Sequence, residues 1–134
     1  MDVTEYVQPG MKEEITFQVE QEQTAVHVGS GGLKVLATPI MIAYMERVSR
    51  TLLDKVLPKG YSSVGVHVNV RHLAPTPLGG QVWVMCEVLQ VDGRRVLFDV
   101  QARDDEEMVG DGRHERVVID VERFLQRVAA KQKA

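Results

Sequence analysis

The spacing of apolar residues changes abruptly at Pro58. Before it, Met41, Met45, Val48, Leu52 and Val56 step by four, three, four and four, which is one face of a helix. Thr38-Pro39 suits a helix start, since Thr can cap free amides and Pro fits the first turn. The pattern predicts a helix from about Pro39 to Val56, ended by Pro58 and Gly60. After Pro58 the period is two. "SSVGVHVNVRH" puts Val64, Val66, Val68, Val70 and His72 on one strand face. "QVWVMCEVLQV" and "RVLFDVQARD" are further strands joined at Asp92-Gly93, a hairpin signal. "MVGDGRHERVVIDV" is a last strand whose two glycines predict a bulge. Upstream, "KEEITFQVEQEQTAVHV" alternates over Ile15, Phe17 and Val19, then over Ala25 and Val28, giving one or two strands. "GSGG" follows as a turn, and "ERFLQRVAAKQKA" closes the chain as a short amphipathic helix with a frayed basic end.

One long helix followed by strands in hairpin succession implies an α+β class. The expected architecture is a single domain over residues 1–134. An antiparallel sheet of five or six strands wraps one long central helix, the hot-dog layout. One helix cannot cover both faces of such a sheet. The other face or an edge needs cover, and a second copy of the chain supplies it most simply. The expectation is a homodimer, with pairing into tetramers left open.

A chain of 134 residues buries enough surface to fold without a disulfide or metal. The formal net charge of −3 leaves no domain-wide basic field, which argues against nucleic acid as a partner. Cys86 is the one cysteine, so there is no disulfide framework and no thiolate zinc site. No apolar run reaches membrane-span length, and the N-terminus lacks a signal-peptide pattern. A soluble, cytoplasmic protein with no membrane partner is expected.

Glu46 interrupts the apolar run "ATPIMIAYMERVSR". It is either one half of a solvent-face pair with Arg50, or a general base or nucleophile held in an apolar pocket. His72 ends its strand just before the stiff segment "LAPTP", where loops and pockets meet. It is either a hydrogen-bonded structural histidine or a site residue. Thr38 reads first as an ordinary N-cap. His67 and His72 fall on opposite strand faces, and His27 and His114 stand isolated, so no metal constellation is expected. There is no Gly-x-Ser-x-Gly elbow, and "GSGG" lacks the Lys-Ser/Thr ending of a phosphate loop. Cys86 reads as a small core residue. Arg71, Arg94, Arg95, Arg113 and Arg116 gather near turns, either as solvated charges or, for a few, as ligands for the phosphates of a nucleotide-bearing thioester.

These residues carry a resemblance. "ATPIMIAYMERVSR", "VGVHVNVRHLAPTPLGG", "VDGRRVLFDVQARD" and "GDGRHERVVIDVERF" resemble the hot-dog thioesterases of the fluoroacetyl-CoA thioesterase type, over nearly the whole chain after residue 10. Thr38 precedes Glu46 by eight residues, Glu46 precedes His72 by 26, and Gly65 precedes His72 by seven. The resemblance implies that Thr38, Glu46 and His72 form the catalytic set, that Gly65 lines the site, and that Arg116 lies near the acyl pocket. It implies hydrolysis of an acyl-CoA to a carboxylic acid and free CoA. Neither metal nor prosthetic group is required, because coenzyme A is part of the substrate. The segment "HVGSGGLKVLA" carries no aromatic residue where that family has an aromatic-rich lid, so a short or medium acyl thioester is the expected substrate. Two rival readings are a non-catalytic acyl-CoA-binding protein and an acyl-CoA hydratase, although the Asp-x-Asn-Pro-x-His-like segment of hydratases is absent. Eight residues of helix separate Thr38 from Glu46 by about 12 Å. The site is therefore expected to assemble across a dimer interface, with Thr38 of one chain near Glu46 or His72 of the other.

Overall fold

The structure, a computed structural model, describes residues 1–132. Strand β1 (Lys12–Gln18) leads through a 3-10 turn into a short helix, α1 (Ala25–Val28). The long helix α2 (Thr38–Val56) follows, then β2 (Tyr61–His72), β3 (Gln81–Asp92), β4 (Arg95–Arg103), β5 (Met108–Asp120) and a terminal helix α3 (Val121–Ala129). The strands form one antiparallel sheet in the order β1-β3-β4-β5-β2, so the strand count is five. This is the hot-dog architecture. Lys133 and Ala134, the end of the expected terminal helix segment, lie outside the described residues.

The two hydrophobic periods meet in the core. Met41, Met45, Val48 and Leu52 of α2 are buried against Val82, Val84, Cys86 and Val88 of β3 and Val96, Phe98, Val100 and Ala102 of β4. Each such aliphatic side chain contributes about 1.5–3 kcal/mol when fully buried. Cys86 is a core residue as its strand position suggests. Its thiol donates to the Val48 carbonyl at 3.7 Å, and burial pushes its pKa up to about 12.

The sequence pattern misjudges three places. Ala25–Val28 is helical rather than a second strand, because the Thr24 hydroxyl accepts from the His27 amide and Gly29, at φ +86°, ends the turn. Thr38 is not the cap of α2. Ala37 holds that position without a side-chain hydrogen bond, which frees the Thr38 hydroxyl. The bulge expected in β5 is present: it falls at Val109, beside the first of the two glycines, where Ala102 pairs with Gly110 and Arg103 with Met108.

The third concerns β2. Gly65 pairs with Arg116 and His67 with Glu115, so Val66 is one residue too many for its partner strand. The extra residue reverses strand parity. Ser63 and Gly65 face the helix before the bulge; Val68, Val70 and His72 share that side after it. Val64 through His72 therefore do not share one face.

The outer face of the sheet carries charge. Arg113 pairs with Asp99, Arg95 with Glu115 and Arg71 with Asp111, a ladder of exposed ion pairs suited to water. The β2 edge is different: Val66 and Val68 are 47% and 38% exposed there. Among the described residues, no helix is long and apolar enough to cross a membrane.

Candidate active site

Two groups of polar side chains lie on the helix side of the sheet. The first joins the start of α2 to the end of β2. The Thr38 hydroxyl and His72 Nδ1 are 2.7 Å apart, within one chain. The expected reach of Thr38 to His72 of another copy is thus replaced by an internal contact, made possible because Ala37 takes the cap. His72 Nε2 is buried and is the one such side-chain atom among the described residues with no hydrogen-bond partner. This holds for either tautomer, since Nδ1 serves Thr38 as donor or acceptor. Burial lowers the His72 pKa, against an opposing backbone interaction with Ala74, so the neutral ring is favoured. Beside the pair lies a cleft of about 280 Å³, walled by Ala25, Val35, Leu36, Leu73 and Pro75 among others. Its "LAPTP" wall is the stiff rim that the sequence suggests.

The second group surrounds Glu46, two turns further along α2. Arg50 does not pair with it; that guanidinium bonds Asp54 at 3.0 Å. Glu46 instead leans over β2 toward Gly65. A methyl group built on Gly65 would sit 2.6 Å from Glu46 Oε2 and 3.2 Å from His114 Cε1. The bare backbone of Gly65 is what lets the carboxylate lie there. Arg116 Nη1 is 3.9 Å from Oε2, with the Arg116 side chain 6% and the Glu46 side chain 43% exposed.

Arg116 is held from below. Its Nε donates to the Ser63 hydroxyl at 2.8 Å, its Nη2 to the Ser63 carbonyl at 3.1 Å and its Nη1 to His114 Nε2 at 3.2 Å. A guanidinium can only donate, so His114 Nε2 must accept. The other ring nitrogen, Nδ1, then donates to the His67 carbonyl at 2.9 Å. The partners thus fix His114 as one neutral tautomer, and burial lowers its pKa in the same sense. His114, read from sequence as isolated, is a buried strut of the Glu46 site, and so is Ser63. The available signal was strand parity: His114, Arg116 and Val118 alternate, and all three are buried. Glu46 makes no contact with Thr38 or His72 of its own chain among the hydrogen bonds and ion pairs of the described residues. Those residues include no cluster of His, Cys, Asp and Glu able to hold a metal.

Two neutral imidazoles below their ordinary value of 6.5 give a pH dependence. The unfolded chain binds protons that the folded chain refuses. Stability from this source is complete above pH 6.5 and is lost as pH falls through the lowered folded-state values. The urea midpoint should therefore be lower at about pH 5.5 than at about pH 7.5, before most carboxylates titrate. Equal midpoints would mean that neither ring is held neutral.

A family model described as fluoroacetyl-CoA-specific thioesterase matches residues 19–122. A fluoroacetyl-CoA thioesterase from Streptantibioticus cattleyicolor is 38% identical over 101 residues, 75% of this chain and 73% of that protein. A solved threonine-to-serine variant of a fluoroacetyl-CoA thioesterase, in complex with acetyl-CoA, superposes with a TM-score of 0.88 at 31% identity, covering 95% of this chain and 100% of that one. A hot-dog-like protein from Thermanaerovibrio acidaminovorans gives a TM-score of 0.92 at 29% identity over 100% of this chain and 99% of its own.

Proposed function

Because this chain belongs to the fluoroacetyl-CoA-specific thioesterase family, we propose that it hydrolyses acyl-CoA thioesters at a site shared between two copies of the chain. The observation that carries the reading is the Thr38–His72 pair with its unpartnered Nε2, set beside a cleft. The site is incomplete in one chain. Thr38 and His72 lie at the start of α2, and Glu46 lies about 12 Å along the same unbroken helix. A partner that pairs along the exposed β2 edge would bring its Glu46 to this chain's His72, completing two equivalent sites by symmetry.

The chemistry follows from the groups. His72 is a hydrogen-bond donor: with Nδ1 accepting from the Thr38 hydroxyl, Nε2–H is free to polarise the thioester carbonyl. Thr38 is then a positioning residue for the ring. Glu46 takes a proton from water as the water oxygen attacks the carbonyl carbon, or attacks that carbon itself to give a transient anhydride that water then opens. Backbone N–H groups at the start of α2, at the positive end of the helix dipole, favour the oxyanion. The C–S bond breaks: in the general-base route the proton held by Glu46 moves to the departing sulfur, and in the anhydride route CoA leaves as its thiolate, balanced by the proton released when water opens the anhydride. Gly65 supplies the room Glu46 needs, and Arg116 sets a positive charge beneath it.

The cleft sets aliphatic walls (Val35, Leu36, Leu73, Pro75) beside Ser30, Thr38 and His72, with no aromatic residue among the described ones other than the His72 ring, and the acyl group we propose for it is short or medium. Incubation with a panel of acyl-CoAs and a thiol-detecting reagent should release CoA fastest from unsubstituted short or medium chains. Tight binding without CoA release would instead support a non-catalytic acyl-CoA-binding protein. Gly65→Ala should lower kcat by about tenfold or more by pushing the carboxylate off its seat, and because its methyl also meets the buried His114 ring at 3.2 Å the unfolding midpoint should fall as well. Full activity in that variant would remove Gly65 from the site.

A further inference from the structure

The cleft beside Thr38 and His72 takes its walls from distant parts of the chain. Val35 and Leu36, just before α2, form one; Leu73, Ala74 and Pro75, between β2 and β3, form the other. Thr76 joins them. Its carbonyl accepts from the Leu36 amide at 2.8 Å, and the next residue, Pro77, bridges to Val35. The first wall is also held by α1, where the Ala25 amide donates to the Val35 carbonyl at 2.8 Å. The second wall has fewer ties of its own, because Pro75 and Pro77 have no N–H to donate. It depends instead on the Thr76 side chain. Thr76 is 1% exposed, and its hydroxyl donates to Asp104 Oδ2 at 2.9 Å, across 28 positions of sequence. Gly80 closes the other side, where an added methyl would sit 2.6 Å from Thr76 Cγ2.

Asp104 is itself fixed, in the turn between β4 and β5. Its Oδ1 accepts from the Glu106 and Glu107 amides at 2.9 and 3.0 Å, and its own amide donates to the Glu107 carbonyl at 3.0 Å. Burial disfavours the Asp104 charge, but the hydrogen bonds from Glu106, Thr76 and Glu107 outweigh it and hold its pKa below the ordinary carboxylate value. A rigid acceptor in one turn thus reaches the cleft through a single side chain. We propose that Asp104, acting through Thr76, sets the spacing of the two cleft walls and so the range of acyl lengths the cleft accepts. The assignment rests on the thioesterase reading and adds to it a determinant of substrate range outside the reacting groups. Asp104 does not line the cleft, so it is a positioning residue. Without its anchor the Pro75 wall is free to recede from Leu36, which admits longer chains.

The test uses Thr76→Val, Asp104→Ala and the double variant in the full chain. Valine keeps the shape of threonine and removes only the hydroxyl, leaving the turn's amide bonds to Asp104 in place. Each protein is measured for kcat/KM with butyryl-CoA and octanoyl-CoA, and for equilibrium binding of the matching S-alkyl-CoA thioethers, which cannot be hydrolysed. In Thr76→Val the butyryl-to-octanoyl ratio should fall by about fivefold or more, carried by KM, with a parallel change in thioether binding. Asp104→Ala should shift the ratio as far, and the double variant no further, since both changes break one bond. Asp104→Asn should restore the parental ratio, its oxygen keeping the turn amides and its NH2 group donating to the Thr76 hydroxyl. A merely structural role would lower the unfolding midpoint without moving the ratio. An unchanged ratio and unchanged thioether binding in folded Thr76→Val would overturn the proposal while leaving hydrolysis intact. A thioether profile that shifts with Thr76→Val, in a protein that releases no CoA from any thioester, would do the reverse: the anchor would stand and the proposed activity would fall.

Discussion

Glu46→Gln should lower kcat for acyl-CoA hydrolysis by at least about a hundredfold while the unfolding midpoint stays near that of the parent. The substitution keeps the side-chain volume and removes only the capacity to accept a proton or attack a carbonyl. Because Glu46 is 43% exposed and its nearest cation is 3.9 Å away, little stability is at stake. The stronger form of the experiment mixes two inactive proteins. If Glu46 of one copy serves His72 of the other, a Glu46→Gln chain paired with a His72→Ala chain makes one intact site and one doubly broken site. Random re-pairing should then restore about a quarter of parental activity. Should mixing restore nothing, the two groups act within one chain, and α2 must deform to bring them together. Near-normal turnover by Glu46→Gln alone on every active substrate would remove the carboxylate from the mechanism altogether.

Arg116→Ala should be the most destabilising single change at the site, costing about 3 kcal/mol or more. Arg116 is 5% exposed, and its guanidinium donates to Ser63 twice and to His114 once. Truncation leaves the Ser63 carbonyl, the Ser63 hydroxyl and His114 Nε2 without that partner, around a cavity. Arg116→Lys should recover less than half of the loss, because an ammonium cannot span three acceptors in the plane of the fork. Arg116→Met separates the two contributions, since it fills the space without making the bonds. Denaturant midpoints of the three variants decide the order. Parental stability in Arg116→Met would mean that burying the charge costs as much as its hydrogen bonds return.

Much of this arrangement was legible from side-chain period. The 4-3-4-4 stepping of Met41, Met45, Val48, Leu52 and Val56 located α2 to within a residue, because burial enforces the pattern along the whole helix. Asp92-Gly93 located the β3–β4 hairpin, where Gly93 takes φ +60° and Arg94 does not need a positive φ. The failures share a cause: each depends on a contact between residues distant in sequence. Thr38 reads as a cap until Ala37 is seen to occupy that place, and its hydroxyl then bonds a residue 34 positions away. His114 reads as isolated because its partners, the His67 carbonyl and Arg116, converge only when β5 lies beside β2. The pairing of Glu46 with Arg50 is the exception, failing for a local reason: Asp54, four residues to the other side, takes the Arg50 guanidinium. The placement of a carboxylate over Gly65 has no local signature, since only the built backbone shows what a methyl group would strike.

The supernumerary Val66 acts as a phase shifter within β2. Upstream of it, odd-numbered residues look toward α2; downstream, even-numbered ones do. Gly65 and His72 can both serve the helix side only because one residue between them is uncounted. Excising Val66 would be unlike any point substitution: it would leave every chemical group in place yet rotate one half of the strand by half a turn. Either the seat beneath Glu46 or the imidazole beside Thr38 would then look into solvent.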